Sequence, residues 1–119
     1  MGLTYVTLRI ANPAKPARKK KVNVLVDTGA ILSVIPEKTM LELGIKPLTR
    51  RRFKAFGGAV IDRSVGGIVL EYDGAKAIAE AAFGMPEDTP ILGATGMETL
   101  GLVVDLKTKK LKRIDLLML

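Results

Sequence analysis

The sequence predicts an all-β domain: a closed or nearly closed barrel of roughly eight or more short strands, with one or two brief helices. Three observations carry that expectation. Apolar residues alternate with polar ones over many short stretches, the period-two signature of half-buried strands. Twelve glycines and six prolines are spread over 119 residues, cutting the chain into short segments. Hydrophobic residues make up 48% but aromatics only 4%, so Val, Leu, Ile and Ala must form the core. One core of that size suits this length and two do not, so residues 1–119 read as a single domain.

The elements follow in order. Leu3–Ala11 alternates, with Val6, Leu8 and Ile10 on one face, and reads as a strand. Asn12–Lys20 holds two prolines and a basic run and reads as a solvated loop. Val22, Val24 and Val26 alternate into a second strand that stops at Asp27-Thr28-Gly29. Ile31–Ile35 is mostly apolar and β-branched, which predicts a buried strand. Pro36 fits a first helical position, Glu37 the first turn, and Gly44 a helix end about two turns on. Phe53–Phe56 and Ala59–Ile61 predict two strand ends meeting at Gly57-Gly58, and Val65–Tyr72 and Ala75–Phe83 flank Asp73-Gly74, a strong hairpin signal. After the Pro86–Pro90 loop, Thr95 and Glu98 have the spacing of a capping box, opening a helix that Gly101 closes. Leu102–Leu106 and Leu111–Leu117 read as a last pair of strands across a lysine-rich turn.

With no cysteine and no histidine, the chain has no disulfide, no Cys–His or Ser–His nucleophile and no ordinary zinc site. Hydrolysis would have to come from carboxylates, a Ser/Thr–Lys pair or a carboxylate-bound metal. The net charge is +7, concentrated in Lys15–Lys21, Arg50–Lys54 and Lys107–Arg113. The first and third clusters have no interleaved aromatics, which argues against nucleic-acid binding and for a solvated basic face. No apolar run is long enough to span a membrane, and Met1–Tyr5 has no signal-peptide pattern, so the expectation is a cytoplasmic protein.

One segment concentrates the chemistry. Val24–Val26 is an apolar strand that runs directly into Asp27-Thr28-Gly29-Ala30. A carboxylate at such a strand end sits beside the core, where desolvation raises its pKa and nearby donors lower it. That balance suits acid/base work. Read by itself, the tripeptide could equally be a turn in which Asp bonds its own backbone.

In this setting the sequence resembles the retropepsin-like aspartic proteases, the retroviral proteases and their cellular and prokaryotic relatives. The resemblance rests on the Asp-Thr-Gly-Ala motif at Asp27–Ala30 and on Ile91-Leu92-Gly93 followed by Thr95–Leu100. A glycine-rich flap segment lies between them at Ala55-Phe56-Gly57-Gly58-Ala59. It extends from about Leu3 to Asp105. It implies a retropepsin-like closed barrel with a flap hairpin, acting as a two-fold homodimer on a peptide or protein substrate, with no cofactor and no metal. Asp27 would be the catalytic carboxylate. Two aspartates about 3 Å apart share one proton: one takes a proton from water while the other donates to the peptide carbonyl. This chain has one Asp-Thr-Gly, so the second carboxylate would come from a second copy.

The resemblance further assigns Thr28 to a hydrogen bond across the two-fold axis and Gly29 to close backbone approach. Ala30 would line the cleft, and Phe56, Gly57 and Gly58 would form the flap tip that excludes water. Ile31, Val60, Ala82 and Ile91 are candidate subsite walls, with ordinary core packing as the competing explanation. Retroviral members pair acidic residues after the motif with an Arg after the second-motif Gly; here Ile31, Leu32 and Ala94 occupy those positions. Leu111–Leu119 would form an intersubunit sheet or cover a sheet edge within its own subunit. The alternative function is a catalytically silent dimerisation or peptide-binding module.

Overall fold

The computed structural model describes residues 3–55 and 57–118. Along them run β1 (Tyr5–Asn12), β2 (Lys15–Val26), β3 (Ser33–Pro36), α1 (Glu37–Glu42), β4 (Thr49–Lys54) and β5 (Val60–Tyr72). They are followed by β6 (Ala75–Gly84), β7 (Ile91–Leu92), α2 (Ala94–Leu100), β8 (Leu102–Asp105) and β9 (Lys110–Arg113). Seven strands form one sheet in the order β1-β2-β7-β3-β6-β5-β4, and β1 pairs again with β5 through Arg9–Glu71, Ile10–Leu70 and Ala11–Val69. Of this sheet's described strands, β4 stands outside the ring of pairings, as an edge strand hydrogen-bonded to β5. β8 and β9 form a separate two-stranded sheet.

The core follows the alternation in the sequence. Val6, Leu8 and Ile10 of β1 and Val22 and Val24 of β2 point inward. They pack with Ile35, Ile68, Leu70, Phe83 and Leu92 from the strands that follow, and Met40 and Met97 cover them from the two helices. A smaller cluster of Leu32, Val65 and Ala82 lies apart, with Val34 and Phe53 against it. Burial of this aliphatic surface is the main stabilising term, at roughly 25 cal/mol per Å² removed from water. At the β5–β6 turn Asp73 and Gly74 both have positive φ, 48° and 83°, as a two-residue hairpin with the right twist requires.

The first departure from expectation is at Asn12–Lys20. It is not a loop: Ala11 pairs with Lys19 and Asn12 with Lys15 across a bulge, so the basic run is the outer arm of the β1–β2 hairpin. Backbone pairing with β1 does not depend on side-chain polarity, and the arm stays solvated, with Lys20 bonding Glu42 at 2.7 Å and Lys19 facing Glu71 at 2.6 Å. The predicted strand at Ile31–Ile35 begins only at Ser33, because Ile31 is 72% exposed on the preceding loop. Pro36 closes β3 and caps α1 rather than opening it, with ψ at 132°. α1 ends as foreseen near Gly44, whose φ is 72°: Gly44 N–H donates to Leu41 O and Ile45 N–H to Met40 O, a Schellman closure. β9 stops at Arg113, short of the expected Leu117, and Leu116, Leu117 and Met118 are exposed.

The capping box is also absent. α2 is capped by Gly93, which has no side chain to cap with, and Thr95 lies inside the helix. The orphan N–H groups of its first turn find partners elsewhere, in the loop that carries Asp27.

Candidate functional site

The site is built where two parallel strand ends meet. Leu25 and Val26 pair with Ile91 and Leu92, and Asp27 N–H continues the ladder to Leu92 O at 3.0 Å. Asp27 therefore leaves the sheet at the end of β2, half-buried, with its backbone fixed by β7. One carboxylate oxygen, Oδ1, accepts the Gly29 N–H at 2.9 Å, and Ala30 N–H donates to Asp27 O at 3.2 Å. Among the described residues no other hydrogen bond reaches the Asp27 carboxylate, so Oδ2 is left to other partners.

The rest of the loop is tied to α2. Ala94 N–H donates to Ala30 O at 2.7 Å, and Thr95 N–H to Ile31 O at 3.0 Å. The Thr95 hydroxyl donates to the same Ile31 carbonyl at 2.9 Å. The helix's first-turn donors thus bind loop carbonyls instead of a capping side chain, which satisfies both elements at once. Beneath the loop, buried Ser33 accepts the Gly93 N–H through Oγ at 3.0 Å. Gly93 is hemmed in: a Cβ there would lie 2.5 Å from Leu32 O and 3.0 Å from Ala30 O. Gly96 lets α2 sit close on the sheet, since a Cβ would meet Leu92 Cδ1 and Ser33 Oγ at 2.9 Å. Ser33 gave no local signal in the sequence and Thr95 signalled only a helix cap, because the partners of both are 60 and 64 residues away.

A cleft of about 660 Å³ opens beside this loop, between it, the β4–β5 hairpin and the 85–90 loop. Of the residues singled out in the sequence, Gly29, Ala30, Ile31, Ala82 and Ile91 line it. Asp27 itself is not in the wall but is held against the Gly29 that is. Thr28 is exposed beside the cleft rather than in it. Val60 is 49% exposed and stands outside, whereas its neighbour Ile61 is in the wall. Gly57 and Gly58, with φ near 90°, turn the hairpin above. Its neck is closed by Ala55 N–H to Ala59 O at 2.7 Å and Gly58 N–H to Ala55 O at 3.0 Å. Phe56, named with them as the flap tip, lies outside the described residues.

The far wall carries a feature that sequence reading missed. Arg63 Nε and an η nitrogen grip Asp88 at 2.7 and 2.9 Å, and Asp88 Oδ2 also accepts Met85 N–H at 2.8 Å. The Arg63 hydrogen bond holds the Asp88 carboxyl below the usual carboxylate range, burial opposing and the Met85 N–H assisting; Arg63 is raised in turn. Among the described residues no three acidic side chains come together as a metal-binding cluster. No helix among them is long and apolar enough to cross a membrane.

No protein-family model matches the chain, and no curated protein matches it in sequence. Its structure does match solved ones. It is similar to the solution structure of simian foamy virus (mac) protease, with a TM-score of 0.53 and 19% identity over 78% of this chain and 92% of that one. It is similar to EIAV protease complexed with an inhibitor, with a TM-score of 0.53 and 21% identity over 84% of this chain and 89% of that one. Against the foamy viral protease-reverse transcriptase in complex with RNA/DNA hybrid, the TM-score is 0.60 at 21% identity, over 98% of this chain and 13% of that chain. The fold is retropepsin-like.

Proposed function

We propose that this chain is one subunit of a homodimeric aspartic endopeptidase, a single domain whose Asp27 pairs with its twin to split water onto a peptide bond. The observation that carries the reading is Asp27 itself. It stands at a strand end beside a cleft, one oxygen held by Gly29 N–H and the other unengaged among the described residues, on a loop pinned to α2 by three hydrogen bonds. A preorganised carboxylate next to a concave, partly apolar wall suits general acid/base hydrolysis. The retropepsin-like fold supports the same assignment, and with it the β1–β5 pairing as the closure of a barrel.

The dimer follows from chemistry. Water attack requires a base to take its proton and an acid to protonate the carbonyl oxygen, and one carboxyl cannot do both in a single step. The chain has no second Asp-Thr-Gly, and Asp73-Gly74 is spent on a hairpin turn. In the proposed step one Asp27, ionised, takes a proton from water as the oxygen bonds to the scissile carbon. The other Asp27, protonated, donates to the carbonyl oxygen to give a neutral gem-diol. Its collapse breaks the C–N bond, with the amine leaving protonated. Thr28 would steady the two loops against each other, and the Gly57-Gly58 hairpin would close over the substrate.

The test compares peptide-library cleavage by the wild type and by Asp27→Asn, from about pH 3 to 8. The expected outcome is turnover by the wild type and a loss of roughly a thousandfold or more in the variant. Equal turnover by both, or none by either, ends the proposal; binding of a statine-type mimic with no cleavage points to the silent peptide-binding module.

A further inference from the structure

The cleft wall is charged unevenly. Four cations line it, Arg51, Arg52, Lys54 and Arg63, against two carboxylates, Glu87 and Asp88. The antiparallel β4–β5 register sorts the cations by face. Arg51 stands opposite Arg63 and Phe53 opposite Ile61, so these four share one face, while Arg52 and Lys54 lie opposite Asp62 and Val60 on the other. Phe53 packs against the Leu32, Val65 and Ala82 cluster, which identifies its face as the inward one. Two arginines thus stand side by side facing the cleft.

They are not equivalent. The Arg63 charge is matched by Asp88 in a two-pronged pair whose side chains are only 15% and 19% exposed. Arg51 has only Glu80, at 3.7 Å, with both side chains more than half exposed. Such a pair is screened by water and contributes little, so exchanging Glu80 for another carboxylate costs almost nothing. Arg52 and Lys54 have no ion-pair partner among the described residues and add to the positive potential at the rim. Glu87, exposed on the 85–90 loop, repels anions from the opposite side and so directs them towards β4.

From this arrangement we infer that the cleft selects peptides bearing an acidic side chain on the β4 side, with Arg51 as the residue that reads it. The inference rests on the reading of this cleft as a peptide site and names its substrate class. A carboxylate at Arg51 gains a cation beside the apolar surface of Phe53 and Ile61, whereas a neutral residue there leaves that cation with only its solvent-screened Glu80 pair. The mixed apolar and cationic wall suits a peptide better than a nucleic acid, since Phe53 is its one aromatic residue among those described and is partly buried.

The experiment uses statine-type peptides in matched pairs, Glu against Gln, with the substitution walked along the sequence and binding to the wild-type protein measured by anisotropy. At one position Glu should bind about fivefold tighter than Gln at low salt, roughly the worth of a half-exposed ion pair. That ratio should shrink towards one at about 0.5 M salt. Arg51→Gln should erase the ratio, and Arg51→Lys, which keeps the charge, should retain most of it. Equal binding of Glu and Gln at every position overturns the inference. So does a ratio that survives in Arg51→Gln, a complete lack of peptide binding, or displacement of the peptide by a single-stranded oligonucleotide of equal charge. Because binding is read separately from turnover, a Glu preference without cleavage sinks the hydrolytic reading alone, and cleavage indifferent to Glu sinks the acidic preference alone.

Discussion

A methyl group at Gly93 would place its carbon 2.5 Å from a backbone oxygen that cannot move without dislodging the Asp27 loop. Gly93→Ala should therefore destabilise by about 3 kcal/mol or more, as a clash with main chain does, measured by urea unfolding. Gly29 is a contrasting case. A Cβ there meets Asp27 Oδ1 at 3.2 Å, the far end of a side chain that can rotate. Gly29→Ala should cost no more than about 1 kcal/mol in the same assay, while peptide turnover falls roughly tenfold or more as the carboxylate leaves its position. Removing the Ser33 hydroxyl belongs with Gly93: Ser33→Ala orphans the buried Gly93 N–H and should cost about 1–3 kcal/mol. Stability and activity would thus separate at neighbouring positions according to whether backbone or carboxylate is displaced.

Strands and loops answer to pairing partners as much as to their own residues. The Arg63–Asp88 pair ties the 85–90 loop to the first part of β5, and its pH dependence has a definite sign. The folded Asp88 carboxyl titrates below its ordinary value of about 3.9, so its contribution is full above that pH and is lost as pH falls below it through the folded-state value. Asp88→Asn should lower stability by about 1–2 kcal/mol near neutrality. The gap between variant and wild type should hold steady down to about pH 5 and narrow below about pH 4, read from urea midpoints across a pH series. A gap that widened on acidification would contradict the assignment. At this scale the sequence was readable where signals are local. The alternation of Val6, Leu8 and Ile10 and the Asp73-Gly74 turn depend on period and backbone preference, and both formed as expected. It was unreadable where a distant segment decides. Lys15–Lys20 is strand because β1 lies alongside, and Thr95 is no cap because the helix opens earlier, at Gly93, where the Asp27 loop supplies carbonyls to its first N–H groups.

The molecule as a whole presents one Asp27 where the proposed chemistry needs two, and this can be tested without knowing the substrate's biological identity. The strand end that carries Asp27 was legible because an apolar strand running into a turn is a local pattern; a second carboxylate is a requirement of the proposed chemistry, and one chain's sequence holds no second Asp-Thr-Gly. If each active unit contains two chains, then mixing wild type with Asp27→Asn and letting subunits exchange distributes them among three kinds of pair. Equal amounts should leave about a quarter of the pairs with two intact aspartates, so activity per mole of wild type falls to about half its unmixed value. Chains acting singly would lose nothing on mixing. Dilution gives an independent reading: the specific activity of a reversible dimer falls as concentration drops below its dissociation constant, and its melting temperature falls with it. A specific activity indifferent to both mixing and dilution would mean that a lone Asp27 suffices, and the two-carboxylate mechanism would have to be abandoned while the fold assignment stood.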